Sequence, residues 1–170
     1  MNFIESISNI EIVNGAISFE EISGNTTIAN ELTTRVQNAN ALFFPDGDIF
    51  SFIFRSGTMS LYKYFHSQAE NTGLEIDIFS PEGHYAEQCS SPDIIVISNL
   101  LVQWAVLPII TGIVSSYIFK ELEEHKKAEM EADIKITVEK DGVTKMICYK
   151  GSTKDFEKTL KVIYDVVFNN

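Results

Sequence analysis

The side chains best able to do chemistry lie in one polar stretch, where His84 and Cys89 sit with Glu82 and Glu87. A thiol beside an imidazole is a nucleophile pair, and His66 is a further candidate base. Catalytic partners normally arrive from separate elements, however, and no family signature surrounds this pair. An incidental histidine in a surface loop accounts for it better, and His125, set among charged helix residues, is solvated. Asp46-Gly47-Asp48 brings two carboxylates together in a turn. Two ligands are too few for a calcium loop, and the downstream oxygen pattern is missing, so turn chemistry explains them. There is no phosphate-cradling glycine loop, nucleophile elbow or paired-cysteine zinc motif. The expectation is a protein with no catalytic residues, no metal site and no cofactor.

The feature that organises the chain is the uncharged run Ile94 to Phe119. An apolar stretch of that length must be hidden in a bilayer, in its own domain or against another protein. Ile94 to Ser98 has the character of a strand that feeds a long helix, about Asn99 to Glu131. The first half of that helix is apolar all round and the second half is polar and solvated. Pro108 should kink it or mark a break, because proline lacks a backbone donor and crowds the preceding turn. Gly112, Ser115 and Ser116 form a small-residue patch that another backbone could approach. A helix apolar on every face exceeds what so small a domain can cover, which leaves a contact surface. The residues expected to form it are Trp104, Leu107, Ile110, Gly112, Ile113, Val114, Ser116 and Tyr117, with another protein subunit or a second copy as partner.

A membrane span is the alternative, since about 20 apolar residues cross the hydrocarbon layer. Against it stand the strand-like start and the polar Asn99, Gln103, Thr111, Ser115 and Ser116, which are costly or indifferent in lipid. Lysines follow the segment at Lys120, Lys126 and Lys127, whereas none lies between it and Lys63. That bias would place the C-terminus in the cytoplasm and export an acidic domain without a signal sequence.

The elements around this helix form an α+β fold in the portions 1–93, 94–131 and 132–170, packed as one compact domain. Asp133 to Glu139 alternates strictly, Asp141-Gly142 suits a tight hairpin turn, and Val143 to Tyr149 returns. A two-residue loop pairs Ile136 with Ile147 and Ile134 with Tyr149, so the apolar faces coincide. Ser152 and Asp155 then make a start resembling a capping box, and Phe156, Leu160, Ile163 and Val167 recur at helical spacing. Upstream, a strand over Ile49 to Phe54, a helix over Thr58 to Glu70 and a strand over Leu74 to Phe79 suggest a βαβ unit in a mixed N-terminal sheet. Thr27 to Asn40 suits a helix and Ala41 to Phe44 a further strand. Asn14-Gly15 is a plausible turn between two short strands within Ile10 to Phe19.

Composition excludes several classes. With 45% apolar residues and 12 Phe, the chain has ample material for a core, so disorder is not expected. The net charge is −11, and Arg35, Arg55 and Lys63 are the only bases before Lys120. Such an acidic N-terminal part repels phosphate backbones, which excludes nucleic acid as a partner. The opening Met1 to Val13 has neither a basic start nor a sustained apolar stretch. Cys89 and Cys148 are therefore expected as reduced thiols in a cytoplasmic protein.

Over residues 96–168 the order of elements resembles the effector-associated constant component domains of bacterial conflict systems. The stretches concerned are Leu100 to Phe119, the charged break Lys120 to Lys127, the hairpin Ala132 to Gly151 and the helix Ser152 to Ile163. The resemblance is one of pattern. It implies a small non-enzymatic module coupling sensors to effectors in antiphage defence, and transfers no functional residues.

Overall fold

The computed structural model describes residues 10–14, 17–24, 30–81, 83–89, 93–156 and 158–159. Its strands are β1 (Ile10–Asn14), β2 (Ala41–Phe43), β3 (Ile53–Phe54), β4 (Ile76–Ile78), β5 (Ala86–Glu87), β6 (Ile94–Gln103), β7 (Glu131–Lys140) and β8 (Val143–Ser152). The helices are α1 (Phe19–Ser23), α2 (Asn30–Asn38), α3 (Thr58–Gln68) and α4 (Leu107–Glu124). Six strands form a mixed sheet in the order β1-β8-β7-β6-β2-β4, while β3 and β5 form a separate two-stranded ribbon. The fold is α+β, with a mixed sheet, a long apolar helix and a C-terminal hairpin leading into a helix.

The hairpin follows its turn chemistry. Asp141 and Gly142 hold φ angles of 53° and 78°, as a two-residue turn with positive φ requires. The register then pairs Ile136 with Ile147 and Ile134 with Tyr149. The chain turns helical at Thr153, where Ser152 Oγ accepts from the Lys154 N–H at 3.2 Å. Phe156 packs on Tyr149 with ring centroids 5.5 Å apart. Leu160, Ile163 and Val167 lie outside the described residues.

Because side chains alternate across a sheet, its two faces collect separate cores. One holds Ile97, Leu100 and Val102 of β6, Ile134, Ile136 and Val138 of β7, and Phe43 of β2, and is covered by α3 and α4. The other, smaller, gathers Leu42, Leu101 and Phe79 under Phe19 and Ile22 of α1 and Leu32 and Val36 of α2. β6 lies at the centre, parallel to β7 and antiparallel to β2. Its register slips between Ile97 and Leu100, where Ser98 and Asn99 form a bulge. Asn99 adopts φ 58°, and its Nδ2 donates to the Pro45 carbonyl at 3.1 Å.

Three expectations about element placement are corrected. The uncharged run is a ten-residue strand, Ile94–Gln103, a 3-10 turn at Trp104–Val106 and α4, so the helix begins at Leu107 rather than Asn99 and ends at Glu124 rather than Glu131. Pro108 sits in its first turn, where the missing N–H has no intrahelical acceptor to serve, and it marks a break, not a kink. The parallel partner of β4 is β2, whereas the strand expected over Ile49 to Phe54 is reduced to β3 in the ribbon. After β1, the chain forms α1 in place of a second strand. Ser18 Oγ caps it by accepting the Glu21 N–H, and the buried Glu139 carboxylate accepts the Phe19 N–H at 3.3 Å, anions at that end being favoured by the helix dipole.

Candidate functional site

α4 lays one face on the sheet and turns the other outward. Leu107, Ile110, Ile113, Val114 and Tyr117 are buried in the chain's own core. Complete burial of an aliphatic side chain of this size is worth about 1.5–3 kcal/mol, so these five stabilise the domain and are not exposed for docking. The expected contact surface included all five, and the structure packs them inside the chain's own fold. The sheet and α3 cover one face, and the middle of the outward face carries small side chains that need little cover.

Of the expected contact residues, Trp104, Gly112 and Ser116 remain exposed. A Cβ added to Gly112 would meet nothing within 4 Å, and the Ser116 hydroxyl is hydrogen-bonded to that of Tyr64 on α3. Ala105, Pro108 and Phe119 share this outward face. Phe119 is 64% exposed and Trp104 43%, so an aromatic side chain ends the face on each side. Lys140, from the hairpin tip, stands 4.6 Å over the Trp104 ring. At the opposite end Lys120 pairs with Glu124 at 3.0 Å and lies over the rings of Tyr64 and Tyr117. Burial, helped by the Glu121 carboxylate, pushes the Tyr117 hydroxyl pKa well above its ordinary range. By length and composition, Trp104–Glu124 could cross a bilayer, with a mean hydropathy of 1.4.

Among the described residues, no hydrogen bond or ion pair joins His84, Cys89 and His66 to one another. His84 and Cys89 are both exposed, and the His84 ring neighbours Phe52 at 6.3 Å. Tyr85, between them, stacks on Phe54 at 4.8 Å and donates to Glu87 at 2.8 Å. Asp48 accepts the Phe50 N–H at 2.9 Å, as turn chemistry requires, and Gly47 holds φ 71°. Among the described residues, no three of His, Cys, Asp and Glu are grouped to hold a metal ion.

Two features were missed in the sequence. Phe119 ends the apolar run and carries no signal of its own there, although its offset from Gly112 and Ser116 puts it on their face. Arg35 and Asp77 lie far apart in the chain but form a two-pronged pair, Nη2 to Oδ1 at 2.7 Å and Nε to Oδ2 at 3.0 Å. Arg35 also donates to the carbonyls of Ile78 and Ser80 at 2.8 and 2.9 Å, and Asp77 accepts the Ile78 N–H. The pair thus occupies outward backbone groups of β4, an end strand of the sheet, and blunts that edge against strand addition.

Comparison with protein families, curated proteins and solved structures finds no match to this chain.

Proposed function

We propose that this chain is a non-catalytic protein–protein interaction module, an adaptor subunit of a bacterial multi-component system that docks through the outward face of α4 onto a second copy of itself. The observation that carries this is the low face of Ala105, Pro108, Gly112 and Ser116 between the exposed Trp104 and Phe119. Small residues let two helices approach closely, and large aromatics supply anchors. The face is also self-complementary, as a two-fold interface must be. In an antiparallel crossing at Gly112, Phe119 of one copy meets Ala105 of the other, because the two are equidistant from the crossing point. The pattern resemblance of residues 96–168 supports placing such a subunit in an antiphage defence system.

Light scattering on purified full-length chain without detergent tests this. The expected result is a dimer that Phe119→Glu or Gly112→Leu converts to a soluble monomer, since both changes fall on the outward face. A monomer at every concentration, or a dimer indifferent to both substitutions, would overturn the proposal. Insolubility until detergent is added would favour the alternative, a single-span membrane effector assembling through residues 99–119.

A further inference from the structure

Beside the β4 edge lies a cleft of about 440 Å³, within the usual range for small-ligand sites. It is separate from the outward face of α4. Glu31 and Arg35 of α2 line one side, Met59 and Tyr62 of α3 the other, and Asp77 of β4 and Tyr85 complete it. Since β2 and β4 run parallel and the chain leaves β4 toward Tyr85, the cleft borders the carboxyl end of β4. Open sheets with parallel strands commonly bind ligands at that end.

The charges choose the ligand. Both Asp77 oxygens are spent on Arg35, and Arg35 in turn spends donors on Asp77, Ile78 and Ser80, which makes the pair neutral and a poor anion receptor. The Glu31 carboxylate is exposed and makes no hydrogen bond among the described residues. Glu87, held by the Tyr85 hydroxyl, adds a second negative charge nearby. Burial raises the pKa of the Tyr62 and Tyr85 hydroxyls, so both phenols stay neutral at ordinary pH. An aromatic face attracts a cation through its quadrupole, and the Tyr62 and Tyr85 rings line the cleft together with the Met59 side chain.

We infer that this cleft binds a small organic cation, an ammonium or guanidinium group on a short apolar body. Glu31 and the rings of Tyr62 and Tyr85 hold the charged end, and Met59 receives the apolar end.

Titration of the full chain with benzylamine, benzyl alcohol and benzoate, followed by NMR of the tyrosine rings, tests the inference. Benzylamine is expected to saturate and to shift the Tyr62 and Tyr85 signals, with the alcohol at least about fivefold weaker, as a cation–π contribution near 1 kcal/mol implies. Glu31→Gln, an exposed helix substitution, should weaken benzylamine several-fold and leave the alcohol unchanged. Tyr62→Leu should weaken benzylamine as well. Equal affinity for amine and alcohol, preference for benzoate, indifference to Glu31→Gln, or no shift by about 10 mM, where even millimolar binding saturates, would each overturn it. None of these outcomes depends on whether α4 docks a second copy.

Discussion

β6 and the first turns of α4 come from the same uncharged run, yet they are hidden from water in different ways. β6 is covered on both faces: Ile97, Leu100 and Val102 face α3 and α4, while Leu101 faces α1 and α2. α4 is covered on one face only and needs little second cover between its ends, because proline, glycine and serine point outward there, continuing the face begun by Ala105 in the 3-10 turn. An uninterrupted apolar run therefore does not imply one element, nor a surplus of greasy surface. What matters is whether the residues between the large ones are themselves large.

Four measurements would break or sharpen this comparison. The largest effects should come from cavities made on the shared core: Leu100→Ala and Ile110→Ala, both at 0% exposed, should each cost about 2–5 kcal/mol in urea unfolding. On the outer side, Phe119→Ser should stay within about 0.5 kcal/mol when measured at a dilution where the chain is monomeric; a loss there comparable to that of Ile110→Ala would mean that Phe119 belongs to the chain's own core. Next comes the β6 bulge. Asn99→Ala gives up a residue tolerant of φ 58° and leaves the Pro45 carbonyl without its donor, for a loss of about 1–3 kcal/mol. Asn99→Gly also loses the bond but keeps the backbone freedom and should lose less; the reverse order would show that the positive φ is not what makes alanine costly.

A smaller effect is one of pH. The Tyr117 hydroxyl has a folded-state pKa above its unfolded value, because burial first and Glu121 second disfavour the phenolate. The stability this confers is complete below about pH 10, the ordinary phenol value, and is lost as pH rises from there through the folded-state value. Denaturation midpoints should therefore fall above pH 10, and Tyr117→Phe should make the fall shallower. It should not abolish it, since Tyr62, Tyr85 and Tyr149 shift in the same direction. The smallest effect is a gain. Gly112→Ala puts a methyl group into open space on an exposed helix face and should add about 0.5–1 kcal/mol in dilute monomeric protein; a gain that shrinks as the concentration rises would show the same methyl group crowding a second copy.

Legibility differed between the same two regions for physical reasons. The hairpin was readable because alternation and the Asp141-Gly142 turn are independent signals that agree on one register. β6 was cut short at Ser98 because Asn99 and Gln103 looked like the start of a helix; Asn99 in fact serves the bulge, and Gln103 donates to the buried Glu139 at 3.2 Å. The inner and outer faces of α4 were confused because a run apolar in letters was read as apolar in volume. Pro108 carried the correct boundary, being at home in a first helical turn. β2 spans only Ala41–Phe43, too short for a period to show, and the crossover was therefore assigned to the wrong upstream strand. α1 was announced by Ser18 and Glu21, a cap and its partner three residues on, and was obscured by the Asn14-Gly15 turn signal. The Arg35–Asp77 pair has no local signature at all, because only the fold brings α2 alongside β4.

That pair bears on self-assembly as well as on the cleft. With the Ile78 N–H taken by Asp77 and its carbonyl by Arg35, a strand added beyond β4 would find that end of the edge already engaged, whereas β1 forms the opposite flank of the sheet. Cross-β growth from the folded sheet is then hindered at one flank, and a fibril needs both to propagate.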